Sequence, residues 1–190
     1  MPNPGDNAPV SRLPRVPDPP TDPELREMFE TNRARGGQII NLHLTLGNAP
    51  KLAKASQAMA HALRYDGVTP RIIRELTIVR TAQIVGSEYE LNQHRPMALA
   101  SGLSQAQLDA ISAWRGSTLF DEKQRAVLGY VEEVAHGGDV ADATFAALQK
   151  FFNPAEIVEL SITIAQYYGT GLVTKALKIK VETDGRRAAP

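Results

Sequence analysis

Cysteine is missing from this chain altogether. Its absence excludes disulfides, thiolate metal sites and thiol catalysis, and it fits the reducing cytoplasm, which is the expected location. No excess of charge exists either: 21 basic side chains balance 21 acidic ones. That balance gives no electrostatic case for nucleic acid or for an anionic membrane. No run of about 18 apolar residues is free of charges, so no transmembrane span is expected. The N-terminus lacks the apolar h-region of a secretory signal. Strand signals are also missing, since no alternating β-branched run is bounded by hairpin turns. An all-α protein, with neither a membrane nor a nucleic-acid partner expected, is what these absences leave.

What is present organises itself simply. With 190 residues, 43% of them apolar, the chain fits one domain with a sizeable core. Proline is concentrated at the start, with seven between residues 1 and 22. Residues 1–22 are therefore read as an extended arm, either disordered or wrapped on a neighbouring subunit. A helical domain is expected over 23–183, with about seven to eight helices, followed by a polar, frayed tail over 184–190. Breakers separate the helices at Gly36–Gly37, at Gly47 to Pro50, at Asp66–Gly67, at Gly86, at Gly102 and at Gly137–Gly138. Thr69 and Pro70 read as an N-cap and first helical residue, and Ser104/Gln107 and Asp121/Gln124 as capping boxes. The last helix, Pro154 to about Lys180, is apolar around most of its circumference. Such a helix must be buried, and its partners can include other subunits. A faint internal echo links Glu75-Leu-Thr-Ile before Ala82-Gln83 to Glu159-Leu-Ser-Ile before Ala165-Gln166, with one residue deleted in the second copy.

The chemistry concentrates between Arg71 and His94. Advancing about 100° per residue places Ile72, Ile78, Val79 and Ala82 within about 60° of Glu75. Glu75 thus lies in the middle of an apolar stripe, where a carboxylate must be paired, hydrogen-bonded or neutral. Arg71, one turn earlier on the same face, is a candidate partner or a holder of a substrate carboxylate, whereas Arg80 points the other way. On the next helix Ser87, Glu90 and His94 share one face at i, i+3 and i+7. If the break at Gly86 folds the two helices together, Glu75 joins them. Two carboxylates and an imidazole around one cavity suit proton transfer. Structural readings stand beside the functional ones. Glu75 could be a buried ion-pair member, Glu90–His94 a surface i, i+4 pair, and Ser87 an N-cap. His136 at a helix C-terminus is accounted for by the dipole, and Tyr167–Tyr168 reads as core.

Arg74-Glu75-Leu76-x-Ile78-x-Arg80, followed by Gly86-Ser87-Glu88-Tyr89-Glu90-x-x-Gln93-His94, resembles the signature of the carboxymuconolactone decarboxylase and alkylhydroperoxidase-D superfamily. The peroxidase branch carries Glu, eleven residues, then Cys-x-x-Cys-x-x-x-His. Glu75 and His94 match the glutamate and histidine at the same spacing, while Ser87 and Glu90 occupy the cysteine positions. The likeness extends loosely from Asn41 to Val181. It implies a single-domain helical bundle of the alkylhydroperoxidase-D type that assembles as a homo-oligomer, a trimer or hexamer, with its site near a subunit interface. It also implies a Glu–His proton relay. Thiol peroxidase chemistry is excluded here, because serine and glutamate cannot form a disulfide. The decarboxylase branch works without a cofactor, and none is expected here. Pro96, inside the second helix, departs from the pattern and should bend the helix after His94.

Three functions fit these residues. The first is a cofactor-independent acid–base enzyme, a decarboxylase or other lyase, or an isomerase, acting on a small carboxylated or lactone-like substrate. Glu75, Glu90 and His94 would be its catalytic residues, and Arg71, Ser87 and Tyr89 its substrate contacts, with no metal. The second is a metal-assisted enzyme that uses Glu90 and His94 with ligands from elsewhere, such as His43 or His61. The third is a non-catalytic oligomeric scaffold.

Overall fold

Nine α-helices, a π-helical turn and a 3-10 segment make up the regular structure among the described residues, 9–188, of the computed structural model. They are α1 (Pro23–Ala34), α2 (Asn41–Leu46), α3 (Pro50–His61), α4 (Arg71–Val85), α5 (Glu88–Ala100), α6 (Gln105–Ala110), α7 (Glu122–His136), α8 (Asp142–Gln149) and α9 (Pro154–Ala176). The π turn (Ala62–Asp66) extends α3, and the 3-10 segment (Ile111–Gly116) comes after α6. The architecture is all-helical as the breaker pattern predicts, with nine α-helices rather than seven or eight. The part of the proline-rich arm at residues 1–8 and the tail residues 189–190 lie outside the described residues.

The chain divides into two compact units, one of residues 1–59 with 173–190, the other of residues 60–172. In the first, Leu25, Met28 and Phe29 of α1 bury against Ile39, Leu44 and Ala53. Asp22 caps α1 by accepting hydrogen bonds from the backbone of Glu24 and Leu25. The described part of the arm is bonded within this unit. The Val16 amide donates to the Leu44 carbonyl at 3.0 Å, Arg12 to Leu177 at 2.8 Å, and Lys180 to Val10 at 2.8 Å. The tail is bonded too: Gln38 donates to the Arg187 carbonyl, Arg187 returns a bond to the Gln38 side chain, and Glu182 accepts from the Asn41 amide at 2.7 Å.

In the second unit α4 is the central element, packed chiefly on α5 and α7. One side of it, with Leu76 and Val79, joins Ala98, Leu108, Ile111, Trp114 and Leu128. Ile73 belongs to a second cluster with Val127, Val131, Leu148, Leu160 and Ile164. Both predicted capping boxes are present: Ser104 and Gln107 open α6, and Asp121 and Gln124 open α7.

Two local expectations need correction. Thr69 does not cap α4. Pro70 holds the N-cap position without a side-chain bond, and the Thr69 hydroxyl donates instead to Glu159 at 2.6 Å. The same carboxylate accepts from the amides of Val68 and Thr69. Burial raises the Glu159 pKa, but these bonds outweigh it and hold the carboxyl below its usual range. A long-range acceptor has thus replaced the local cap. The last helix stops at Ala176 rather than near Lys180, because Lys178 enters the left-handed region at φ 50° and the Ile179 amide closes back on the Thr174 carbonyl.

Arg80, predicted to face away from Glu75, donates to Glu132 at 2.6 Å. Trp114 Nε1 and Arg115 also donate to that carboxylate, each at 2.8 Å. Desolvation raises the Glu132 pKa, yet the three donors overcome it and leave the carboxyl below its ordinary value. A depressed carboxylate contributes stability above its unfolded pKa of about 4.3 and loses it as pH falls through the folded value. Glu132→Gln should therefore lower stability at neutral pH, and the gap to the parent should close on acidification below about pH 4. Urea unfolding at a series of pH values checks this; a gap independent of pH would contradict it.

Candidate active site

Gly86 makes the site possible. It terminates α4 in the left-handed conformation at φ 68°, which glycine adopts without a Cβ penalty. Ser87 comes next as N-cap of α5, its hydroxyl accepting from the Glu90 amide at 3.3 Å. The two helices consequently lie against each other, and the residues at matching depth meet.

Those residues are Glu75 and His94. Glu75 is 1% exposed and His94 5%. His94 Nδ1 stands 3.0 Å from Glu75 Oε2, a hydrogen bond between two buried side chains from different helices. With Glu75 ionised, a carboxylate can only accept, so Nδ1 carries the hydrogen and Nε2 is left as the basic edge. Nε2 lies 3.7 Å from Glu90 Oε2, outside ordinary hydrogen-bond range, and the pair becomes an ion pair only when the ring is protonated. Glu90 is buried as well. The i, i+4 pair of the sequence is thus an interior pair.

Tyr167 of α9 stacks edge-on against the His94 ring, with centroids 4.8 Å apart and planes at 87°. Burial pushes its phenol far above the usual range, so it stays protonated across the working pH range of most proteins. Arg74, next to Glu75, is also buried. It donates from Nη1 to the Leu63 carbonyl at 3.2 Å, while its buried Nε has no hydrogen-bond partner. Burial lowers its pKa, against the opposing attraction of Glu75.

Among the sequence-predicted contacts, Ser87 and Tyr89 are buried and Arg71 is exposed at the start of α4. The wheel places Arg71 on the Glu75 face, but it stands in the first turn, where the side chain reaches solvent. Arg74 is the guanidinium that sequence reasoning missed. Its signals are its place at the head of the signature motif and beside Glu75, although the wheel sets it about 100° away. Tyr167 reads as core from sequence, which its burial supports, but the contact with His94 makes it part of the site. Pro96 lies inside α5, as expected, and the helix continues through it to Ala100. No cluster of three or more His, Cys, Asp or Glu side chains suited to a metal ion occurs among the described residues. No described helix is long and apolar enough to cross a membrane.

The close approach of α9 to the α4–α5 junction rests on Gly171. A Cβ there would meet Val85 Cγ1 at 2.5 Å and Ser87 Cβ at 3.3 Å. Alanine adds about 1 kcal/mol of helix propensity. Overpacking against a stiff β-branched neighbour costs about 1–3 kcal/mol. Gly171→Ala should therefore destabilise by about 1–2 kcal/mol on balance. Chemical denaturation reads the sign directly.

Comparison with known proteins agrees with the motif. Residues 50–133 match the model of the carboxymuconolactone decarboxylase family, a span that includes Glu75, Glu90 and His94. Among solved structures, an uncharacterized peroxidase-related protein from Ralstonia eutropha JMP134, with an alkylhydroperoxidase AhpD core, aligns at TM-score 0.79 and 20% identity, covering 93% of this chain and 95% of that one. A second uncharacterized peroxidase-related protein, from Silicibacter sp. TM1040, aligns at 0.76 and 17% identity over 97% of both chains. The debrominase Bmp8 aligns at 0.74 and 18% identity, over 93% of this chain and 94% of its own. These likenesses show the fold. No curated protein sequence matches.

Proposed function

We propose that this chain, which carries a carboxymuconolactone decarboxylase family region on an AhpD-like fold and has no cysteine, is a cofactor-independent acid–base enzyme. Its substrate would be a small carboxylated or lactone-like molecule, and its reaction a decarboxylation or related lyase or isomerase step. The observation that carries this reading is the buried Glu75–His94 hydrogen bond at 3.0 Å with Glu90 on the far side of the imidazole. A dry site multiplies the effect of each charge and costs no reorganisation during reaction.

In a decarboxylation the bond from ring carbon to carboxylate breaks and CO2 leaves. The electron pair stays behind and delocalises into the unsaturated lactone as an extended enolate. A proton must then be delivered to carbon. Glu75 orients and charges His94, His94 Nε2 passes the proton, and Glu90 holds it before or after transfer. Arg74, with its unpartnered Nε, is better placed than Arg71 to hold the substrate carboxylate, since a buried guanidinium binds carboxylate strongly. Ser87 and Tyr89 remain candidate contacts. The enzyme would work as a homo-oligomer in the cytoplasm.

The test is CO2 release from 4-carboxymuconolactone and a panel of related carboxylated lactones. Wild-type protein should turn over at least one of them, and His94→Ala should be slower by about 10²-fold or more. Release of CO2 from no member of the panel would sink the lyase reading.

A further inference from the structure

Helix α9 has two apolar faces, and the structure accounts for only one. Ile157, Leu160, Ile164 and Tyr167 are buried on the inner face. On the opposite face Ala155, Val158, Ile162, Ala165, Gly169 and Leu172 are all exposed, Val158 at 56%, Ile162 at 38% and Leu172 at 49%. Their steps alternate three and four residues, the spacing of a coiled-coil seam. No charged residue interrupts it. A continuous apolar stripe at water is the mark of an interaction surface.

The order of side-chain sizes along the seam identifies the occupant. When two helices of this kind pair antiparallel, their layers join the first core position of one heptad to the second of the other. Here that register sets Ala155 against Leu172, Val158 against Gly169, and Ile162 against Ala165. Every layer then joins one large and one small side chain, which is what fills space between two close helices. Parallel pairing in register would set Ile162 against itself and Gly169 against itself, crowding one layer and leaving a void in the other.

We propose that a second copy of this chain covers this face, α9 crossing α9 about a two-fold axis between Thr163 and Ile164. This deepens the homo-oligomer reading by naming its interface. It also decides between assemblies, because a two-fold contact builds dimers or hexamers and is incompatible with a bare trimer. Since α9 brings Tyr167 to His94 from its other face, the pairing braces the helix that backs the site.

The absence of cysteine makes the test clean. In the proposed pair, positions 155 and 172 of different copies meet, whereas two copies of position 155 stand about 25 Å apart. An oxidised equimolar mixture of Ala155→Cys and Leu172→Cys should form a disulfide-linked dimer on a non-reducing gel, and neither variant alone should. Light scattering should show an even-numbered oligomer for the parent and a halved mass for Ala165→Glu, with helix content by circular dichroism unchanged because the site is exposed. Cross-linking of Ala155→Cys alone, a monomeric or trimeric parent, or a mixture that does not cross-link while the parent still associates would each overturn the proposal. The last result would direct attention to another seat for α9, such as the exposed Leu52 and Met59 of α3 in a second copy. None of these measurements depends on turnover, so assembly and chemistry fail separately.

Discussion

Glu75→Gln is expected to lower turnover by about 10²–10⁴-fold while leaving the fold intact. Glutamine keeps the size of the side chain and an oxygen that can accept from His94 Nδ1, so the buried contact survives in outline. What it loses is the charge that steadies an imidazolium and the capacity to exchange a proton. The loss should fall on kcat rather than KM, since Glu75 acts on His94 and not on the bound ground state. A loss confined to KM would mean that Glu75 serves binding alone. If the carboxylate were only a packing element, Glu75→Gln would leave kcat unchanged.

Leu76→Ala should produce the largest loss of stability. Leu76 is fully buried on α4, packed into the cluster that includes Leu108, Trp114 and Leu128. Truncation there removes apolar burial and leaves a cavity that helices on several sides cannot easily collapse. The expected cost is about 2–5 kcal/mol, a fall in Tm of roughly 5–15 °C. Calorimetry measures it, and a fall of less than about 2 °C would show that the core closes around the gap. Because Leu76 adjoins Glu75, residual activity at low temperature would separate damage to the core from damage to the site.

Much of this architecture is legible in the sequence because the signals are local. Gly86 requires a left-handed turn, Ser87, Ser104 and Asp121 announce helix starts, and an apolar stripe around Glu75 forces that carboxylate to find a partner. The Glu75–His94 contact emerges from those signals once Gly86 is taken to fold two helices together. What stays hidden are partners chosen across the chain. Thr69 has the look of an N-cap, but Glu159 offers a carboxylate from 90 residues away and wins its hydroxyl. The two carboxylates of the faint repeat keep different company: Glu75 meets a histidine, and Glu159 meets two backbone amides and the Thr69 hydroxyl. Arg71 and Arg74 differ by three positions on one helix, and only the depth at which the surrounding structure covers each distinguishes them. Tyr167 carries no chemical mark in sequence that sets it apart from Tyr168.

The measurement that tests the central claim most directly is proton NMR of 4-carboxymuconolactone incubated in D2O with wild-type protein and with His94→Ala. The account predicts loss of the lactone with one deuterium placed on the carbon that bore the carboxylate, or its conjugate position, and none of this at a comparable rate in the variant. Deuterium incorporation that proceeds equally well without His94 would contradict it.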